Sequence, residues 1–429
     1  MQTHKISQNS FKGYDARPLK GFLMSSNCHG IAREMQAIGN REGFKIYSVN
    51  KYSGKCKECL PPYSTNTVGL WAQDLWTIVN NKLLFNEDNN LTADIKKFFS
   101  LKDDFTQKVT RENPRYINKV NDLWKLFFPE NNTENKKLSN TDFTQAYTNK
   151  KNELLSMQRK YHIPGGNVFI VKGNKGNEVI VGKTELENFS IDDIKAYYDV
   201  QKITVLPQMD YHLDLFIRPL DKKRILLTDD GLTIKTLEKG IDKINNYISS
   251  LKDNLKKEEA IKARDKMICE IEKFQEIINK TNPKKIYKVD KILRKNGFEV
   301  IHVPGRFYND IIEDCDMKYF LIHNCNFINA NVIKNRDGKL VYITNKSNID
   351  KTLGLTPEIS KAIDFSFEEE FIKSIAPYVD REHIYFIKGD DDYVARKMLS
   401  EFQGGIHCAC TEIPHGVKIN PEVINGSSK

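Results

Sequence analysis

The chain has 429 residues, 39% of them hydrophobic and 29% charged, with 66 Lys and Arg against 57 Asp and Glu for a formal charge of +9. Length and composition exclude collagen-like, mucin-like and wholly disordered classes, and allow either two or three domains or one large one at roughly 150 residues per domain. The positive surplus is mostly Lys, spread thinly without an Arg stripe, which predicts solubility and no nucleic-acid partner.

No stretch approaches the ~18 apolar residues of a bilayer span, so no membrane partner is expected. The start, MQTHKISQNSFKGYD, lacks the apolar centre of a general secretory signal, which predicts a cytoplasmic protein and leaves delivery by a dedicated export system open. Eight irregularly spaced cysteines are too sparse for a disulfide scaffold, and reduced thiols are expected.

Residues 19–50 alternate an apolar run, a helix-like stretch and a second apolar run, the pattern of a strand, helix, strand unit. The cadence returns over 167–218: NVFIVK and EVIVG form a hairpin around GNKGN, a helix follows near 191–198, and KITVLP and LDLFIRP read as strands. It recurs through 298–303, 320–323, 331–334 and 340–344, and again from a helix at 368–376 to a strand at 383–388. The recurrence predicts an internally repeated α/β fold. Two polar segments interrupt it and read as helical insertions. The first, 85–161, carries Phe98, Phe99, Trp124, Leu126, Phe127 and Phe128 as anchors. The second, 232–290, steps Leu237, Ile241, Ile244, Ile248, Leu251, Leu255 and then Ile268, Ile271, Phe274, Ile278, a heptad-like seam that predicts an antiparallel hairpin. Packing on its own domain is the simpler role for residues 237–278; an arm for a partner or a substrate is the other.

Gly176 to Thr184 nearly spells a phosphate-binding loop but has one residue too many between its glycines, and EVIV between them is strand-like. Cys56 and Cys59 form one C-x-x-C and His407 and Cys410 add soft ligands, but a zinc site usually pairs two knuckles. Asp390, Asp391 and Asp392 read as a solvated loop rather than a calcium site. No metal and no cofactor is expected.

A more informative set is spread along the chain: Trp71-Ala72-Gln73-Asp74, Gly165-Gly166-Asn167, His212-Leu213-Asp214 and Gly404-Gly405-Ile406-His407-Cys408. A single Cys with a distant His is a candidate nucleophile and acid/base pair. Two carboxylates in addition suit a guanidinium, whose N–H donors form a planar fork. Gly165 and Gly166 suit a tight turn, and Asn167 suits holding it together. His407 and Cys410 flank the candidate nucleophile, with packing the simpler role for both.

In this order the motifs resemble the pentein, or guanidino-group-modifying, superfamily of deiminases, dihydrolases and amidinotransferases. WAQD at 71–74 resembles the protein-arginine deiminase form, GGIHCACTEIP at 404–414 the agmatine deiminase form, and HLDLFIRPL at 212–220 several branches. The resemblance covers about residues 15–415 apart from the two insertions. It implies one catalytic domain over 1–429, a five-bladed ββαβ propeller with pseudo-five-fold symmetry. It also implies that Cys408 attacks the guanidinium carbon, that His212 protonates the leaving amine and then activates water, and that Asp74 and Asp214 grip the guanidinium. Trp71, Gln73, Asn167 and His407 are the further residues placed against substrate. The implied activity is a deiminase converting arginine to citrulline and ammonia. WAQD favours peptidyl arginine, while ACTEIPHG lacks the Arg-rich stretch of the animal enzymes. Free arginine or agmatine is the other substrate, amidino transfer to an amine the rival reaction, and a non-catalytic binding scaffold the rival class.

Overall fold

The computed structural model describes residues 19–25, 28–49, 71–79, 82–85, 95–97, 99–101, 163–173, 176–187, 189–198, 200–210, 212–280, 284–305, 326–347, 355–399 and 404–420. Trp124, Leu126, Phe127 and Phe128, with most of the 85–161 segment, lie outside them, as do Phe98, Cys56, Cys59 and the strand expected at 320–323.

The apolar alternations become short strands in a mixed α/β fold, gathered among the described residues into five small open sheets. In chain order the first elements are β1 (Leu19–Ser25), α1 (His29–Glu42), β2 (Lys45–Val49), α2 (Ala72–Leu75), β3 (Trp76–Val79) and β4 (Lys82–Phe85). There follow β5 (Val168–Gly173), β6 (Gly176–Gly182), α3 (Ile191–Tyr198), β7 (Lys202–Leu206), β8 (Ile217–Pro219) and β9 (Arg224–Thr228). Three helices come next, α4 (Asp230–Ser250), α5 (Asn254–Lys280) and α6 (Lys284–Lys295), and then β10 (Glu299–Val303). The chain ends with β11 (Asn331–Lys334), β12 (Leu340–Asn345), α7 (Pro357–Ile363), α8 (Phe367–Ile375), β13 (Ile384–Ile387) and β14 (Cys410–Pro414).

One pattern repeats. β5 runs antiparallel to β6, and β6 runs parallel to β7 after the crossover through α3. The same antiparallel then parallel pairing joins β8, β9 and β10 across α4 to α6, and β11, β12 and β13 across α7 and α8. A parallel pair needs such a crossover, and a helix supplies it. In the fourth case the chain's two ends share one sheet: β14 lies antiparallel to β1, with Met24 opposite Cys410, and β1 is parallel to β2 across α1. β3 and β4 form a hairpin.

Helix starts follow side-chain capping chemistry. Asp229 accepts the N–H of Leu232 at 2.8 Å at the start of α4, Thr356 that of Ile359 before Pro357 in α7, and Ser366 that of Glu369 in α8. The α4 and α5 helices pack their apolar stripes into the main core with Tyr342, Phe367 and Phe371. Leu237, Ile244 and Ile248 supply the α4 side, with Ile241 and Leu251 half-buried. On α5 the stripe differs from the expected one. Ala260, Ala263, Met267, Ile271 and Phe274 are buried, whereas Leu255 and Ile268 are exposed. The buried face of α5 thus runs along Ala260, Ala263 and Met267 and leaves Ile268 outside it. Phe99 is buried beside Ile78, Leu83 and Ile413 in a separate cluster.

Candidate active site

The segment LDLFIRP is not a continuous strand. His212 is extended, Leu213–Leu215 is a single 3-10 turn closed by Phe216 N–H to the Leu213 carbonyl, and only Ile217–Pro219 pairs in a sheet. The turn is held from outside by Asn167. Its Oδ1 accepts from Leu213 N at 3.2 Å and Gln208 Nε2 at 3.0 Å, while its Nδ2 donates to Glu185 Oε1 at 2.6 Å and Thr184 Oγ1 at 3.2 Å. Its amide is thus committed to protein partners, tying the turn Gly165–Asn167 to the start of the next one. Gly166 lets the two turns touch, since a Cβ there would lie 2.6 Å from His212 Nδ1 and 3.0 Å from each Asp214 carboxylate oxygen.

Asp214 is fully buried, and Cys408 is only 3% exposed. The Cys408 thiol donates to Asp214 Oδ2 at 3.4 Å. Asn329 Nδ2 donates to the same Oδ2 at 2.9 Å and to Cys408 Sγ at 3.1 Å, and its Oδ1 accepts the His407 N–H at 2.9 Å. The His407 Nδ1 lies 2.7 Å from Asp214 Oδ2, and its Nε2 2.8 Å from Gln73 Nε2. The Gln73 N–H donates to the Cys408 carbonyl at 3.2 Å, binding α2 to the thiol's own loop. Trp71 packs on that loop so closely that a Cβ on Gly404 would lie 2.6 Å from its ring.

Four motifs far apart in the chain therefore meet. His212, Asp214 and Cys408 gather with Gln73 and His407. The backbone of Asp74 lies in α2, but its side chain is outside the described residues. Asn329 is at the centre and carries no sequence motif of its own. Asn326, Asn329, Asn331 and Asn345 are all buried, in a chain so rich in Asn that their clustering at 326–331 reads as composition.

Charge is arranged around His407. Burial, with the positive Arg218 and then His212 adding to it, holds its pKa well below the ordinary imidazole value. A neutral ring fits its contacts: Nδ1–H donates to Asp214, and Nε2 accepts from the Gln73 amide. Phe169 stacks on the ring at 5.9 Å, and the fully buried Arg218 guanidinium lies over Phe169, 5.3 Å from its ring centroid. Arg218 also faces Glu412 at 3.7 Å. His407 is thus an oriented hydrogen-bond partner of Asp214 and Gln73, while His212 is half-buried beside the Leu213–Leu215 turn. Burial pushes the Cys28 thiol up to about 12, and that of Cys410 well above the ordinary value. Both thiols are thereby held protonated at neutral pH.

A small cavity of about 20 Å³ beside His407 is lined by Gln73, Thr77, Phe169, Tyr198 and Glu412. A cleft of about 500 Å³ lies elsewhere, between the α4 start and α6, lined by Asp229, Ile234, Tyr287, Asp290 and His302. Among the described residues, one cluster has metal-ligand spacing, Asp380, Glu382 and His383. Lys339 already pairs with both acids, and His383 Nδ1 with Glu42 at 2.9 Å. Asp390–Asp392 is a surface turn whose last residue pairs with Lys388 at 3.2 Å.

No protein-family model matches the sequence, and no curated protein matches it. Among solved structures, the agmatine deiminase of C. jejuni is similar over 95% of this chain and 97% of its own, at 13% identity and a TM-score of 0.40. Among the described residues no helix is long and apolar enough to cross a membrane.

Proposed function

We propose that this chain is a guanidino-group deiminase of the pentein type, with Cys408 as nucleophile. The observation that carries the reading is the buried contact of the Cys408 thiol with Asp214, 3.4 Å apart, beside His212 across the glycine turn. A lone buried cysteine packs against apolar groups; this one faces a carboxylate and an amide donor, and an imidazole adjoins the carboxylate. The five small sheets are read as the five blades of the disc, the one shared by the chain ends closing the ring. Residues 85–161 and 232–290 are read as insertions in it.

In this scheme Asp214 and Asp74 align the guanidinium and offset its loss of water. Cys408 Sγ bonds to the guanidinium carbon, and the carbon–nitrogen bond to the leaving amine breaks as His212 gives that nitrogen a proton. Water then adds to the thiouronium carbon, losing a proton to His212, and the carbon–sulfur bond breaks to release a ureido product and restore the thiol. Arginine becomes citrulline with one ammonia released. WAQD favours peptidyl arginine as the substrate.

The test incubates purified protein with arginine, agmatine and an arginine peptide, each with and without glycine as acceptor amine. Ammonia and a ureido product without glycine support the hydrolase, with the peptide the best of the three. Product formed only with glycine replaces hydrolysis by amidino transfer, and no turnover of any compound by folded protein overturns the reading.

A further inference from the structure

A buried thiol beside a buried carboxylate poses an electrostatic difficulty. Once sulfur loses its proton, two negative groups stand 3.4 Å apart in surroundings that screen them poorly. Asn329, fully buried, is a described side chain that hydrogen-bonds to both. Its two amide hydrogens divide between Asp214 Oδ2 at 2.9 Å and Cys408 Sγ at 3.1 Å. Its carbonyl oxygen accepts the N–H of His407 at 2.9 Å and that of Cys408 at 3.4 Å. The reversed amide would set its oxygen against a carboxylate and a sulfur and its NH2 against two backbone donors, so only one orientation satisfies the contacts.

The amide is itself held. The Asn329 N–H donates to Asn326 Oδ1 at 2.8 Å, and its carbonyl accepts from Asn345 Nδ2 at 3.2 Å. Asn326 reaches the Leu215 carbonyl at 3.0 Å, and Asn345 accepts the Ile406 N–H at 2.9 Å. One network therefore grips both segments that bear the reacting groups, 213–215 and 404–408. Such a network is rigid when every member is satisfied.

We propose that Asn329 is a positioning residue that holds Cys408 as a thiolate next to Asp214 by donating to both at once. The proposal rests on Cys408 being the nucleophile. The side chain does not touch the reacting carbon; it acts through the sulfur and the acid.

The experiment measures thiolate formation as the 240 nm absorbance difference between each protein and the same protein carrying Cys408→Ser, titrated from pH 5 to pH 10. It compares the full chain with Asn329→Ala and Asn329→Asp, with folding checked by circular dichroism and thermal melting. Asn329→Asp keeps an acceptor for the His407 N–H and replaces the donor by an acidic oxygen. The Cys408 midpoint rises by at least one pH unit in Asn329→Ala, a tenfold loss of thiolate below the midpoint, and further in Asn329→Asp. A folded variant with an unmoved midpoint overturns the proposal; so does failure of both variants to fold, which makes Asn329 a scaffold residue. The readout needs no turnover. A protein that deiminates nothing yet shows the shift sinks the enzymatic reading and leaves the role of Asn329 standing.

Discussion

Gly166→Ala perturbs the meeting of the two turns with a single methyl group. Its Cβ would lie 2.6 Å from His212 Nδ1 and 3.0 Å from each oxygen of Asp214. An ordinary contact is at least ~3.4 Å, so the imidazole has to retreat by ~0.8 Å. Asp214 cannot yield easily, being buried and held by His407 and Asn329, so His212 takes most of the displacement. A catalytic group misplaced by about 1 Å costs on the order of 100-fold in rate, or ~2.7 kcal/mol of barrier. Gly166 does not have a positive φ, so alanine brings no backbone strain. Its overlap, on the order of 1–3 kcal/mol, is partly offset by the ~0.4–1 kcal/mol that alanine gains by restricting the unfolded chain. The expected outcome is a ~100-fold fall in kcat for ureido product formation, with a thermal midpoint only a few degrees lower. Gly231→Ala is the control, since its Cβ would meet Asp229 Oδ1 at an ordinary 3.4 Å. A Gly166→Ala protein with wild-type kcat would refute the placement of His212 as the acid/base.

Three further outcomes follow from groups outside the reacting centre. His302 bridges Asp229 at 2.8 Å and Asp290 at 3.0 Å. Asp229 first and then Asp290 raise its pKa above the ordinary 6.5, so its stabilisation is full below that value and is lost as pH rises through the raised one. At this partly exposed site His302→Ala costs about 1 kcal/mol at pH 6 and less at pH 9, measured by urea unfolding; equal losses at both would contradict the clamp. Arg218→Met removes the buried cation facing Glu412 at 3.7 Å and lowers stability by about 3–5 kcal/mol; an unmoved thermal midpoint would show that the carboxylate does not need it. Iodoacetamide at pH 8 labels the exposed Cys269 of folded protein and spares Cys28 and Cys410, which are buried and held protonated; peptide mass spectrometry reads the sites, and fast labelling of Cys410 would contradict its burial.

The strand, helix, strand units at 19–50 and 167–206 are legible because apolar periodicity is a local signal, and the structure places β1, α1, β2 and β5 to β7 there. The helical stripe of 237–248 is legible for the same reason. Its α5 counterpart is not, because Ala260, Ala263 and Met267 carry the contact and Ala is too small to register as an apolar stripe. Pairing of β1 with β14 is beyond any local pattern, since it joins residues almost 400 positions apart, Leu19 with Pro414. Within the site, the glycine pair, His212, Asp214 and Cys408 stand out by residue type and spacing. Asn329 does not: its role comes from two amide donors in one buried position, which composition hides. The 3-10 turn at Leu213–Leu215 also escapes a strand-like sequence, because the Asn167 side chain that captures the Leu213 N–H lies 46 residues upstream.

Covalent trapping of the thiol tests the central claim most directly. The full chain is incubated with chloroacetamidine, a small cationic amidine that alkylates a reactive thiolate, and the modified peptide is identified by mass spectrometry. The account predicts one adduct, on Cys408, formed more slowly in the presence of an arginine compound and absent from Cys408→Ala. Labelling of Cys269 with Cys408 untouched, or a Cys408 adduct indifferent to both arginine compounds and Asp214→Asn, would contradict it.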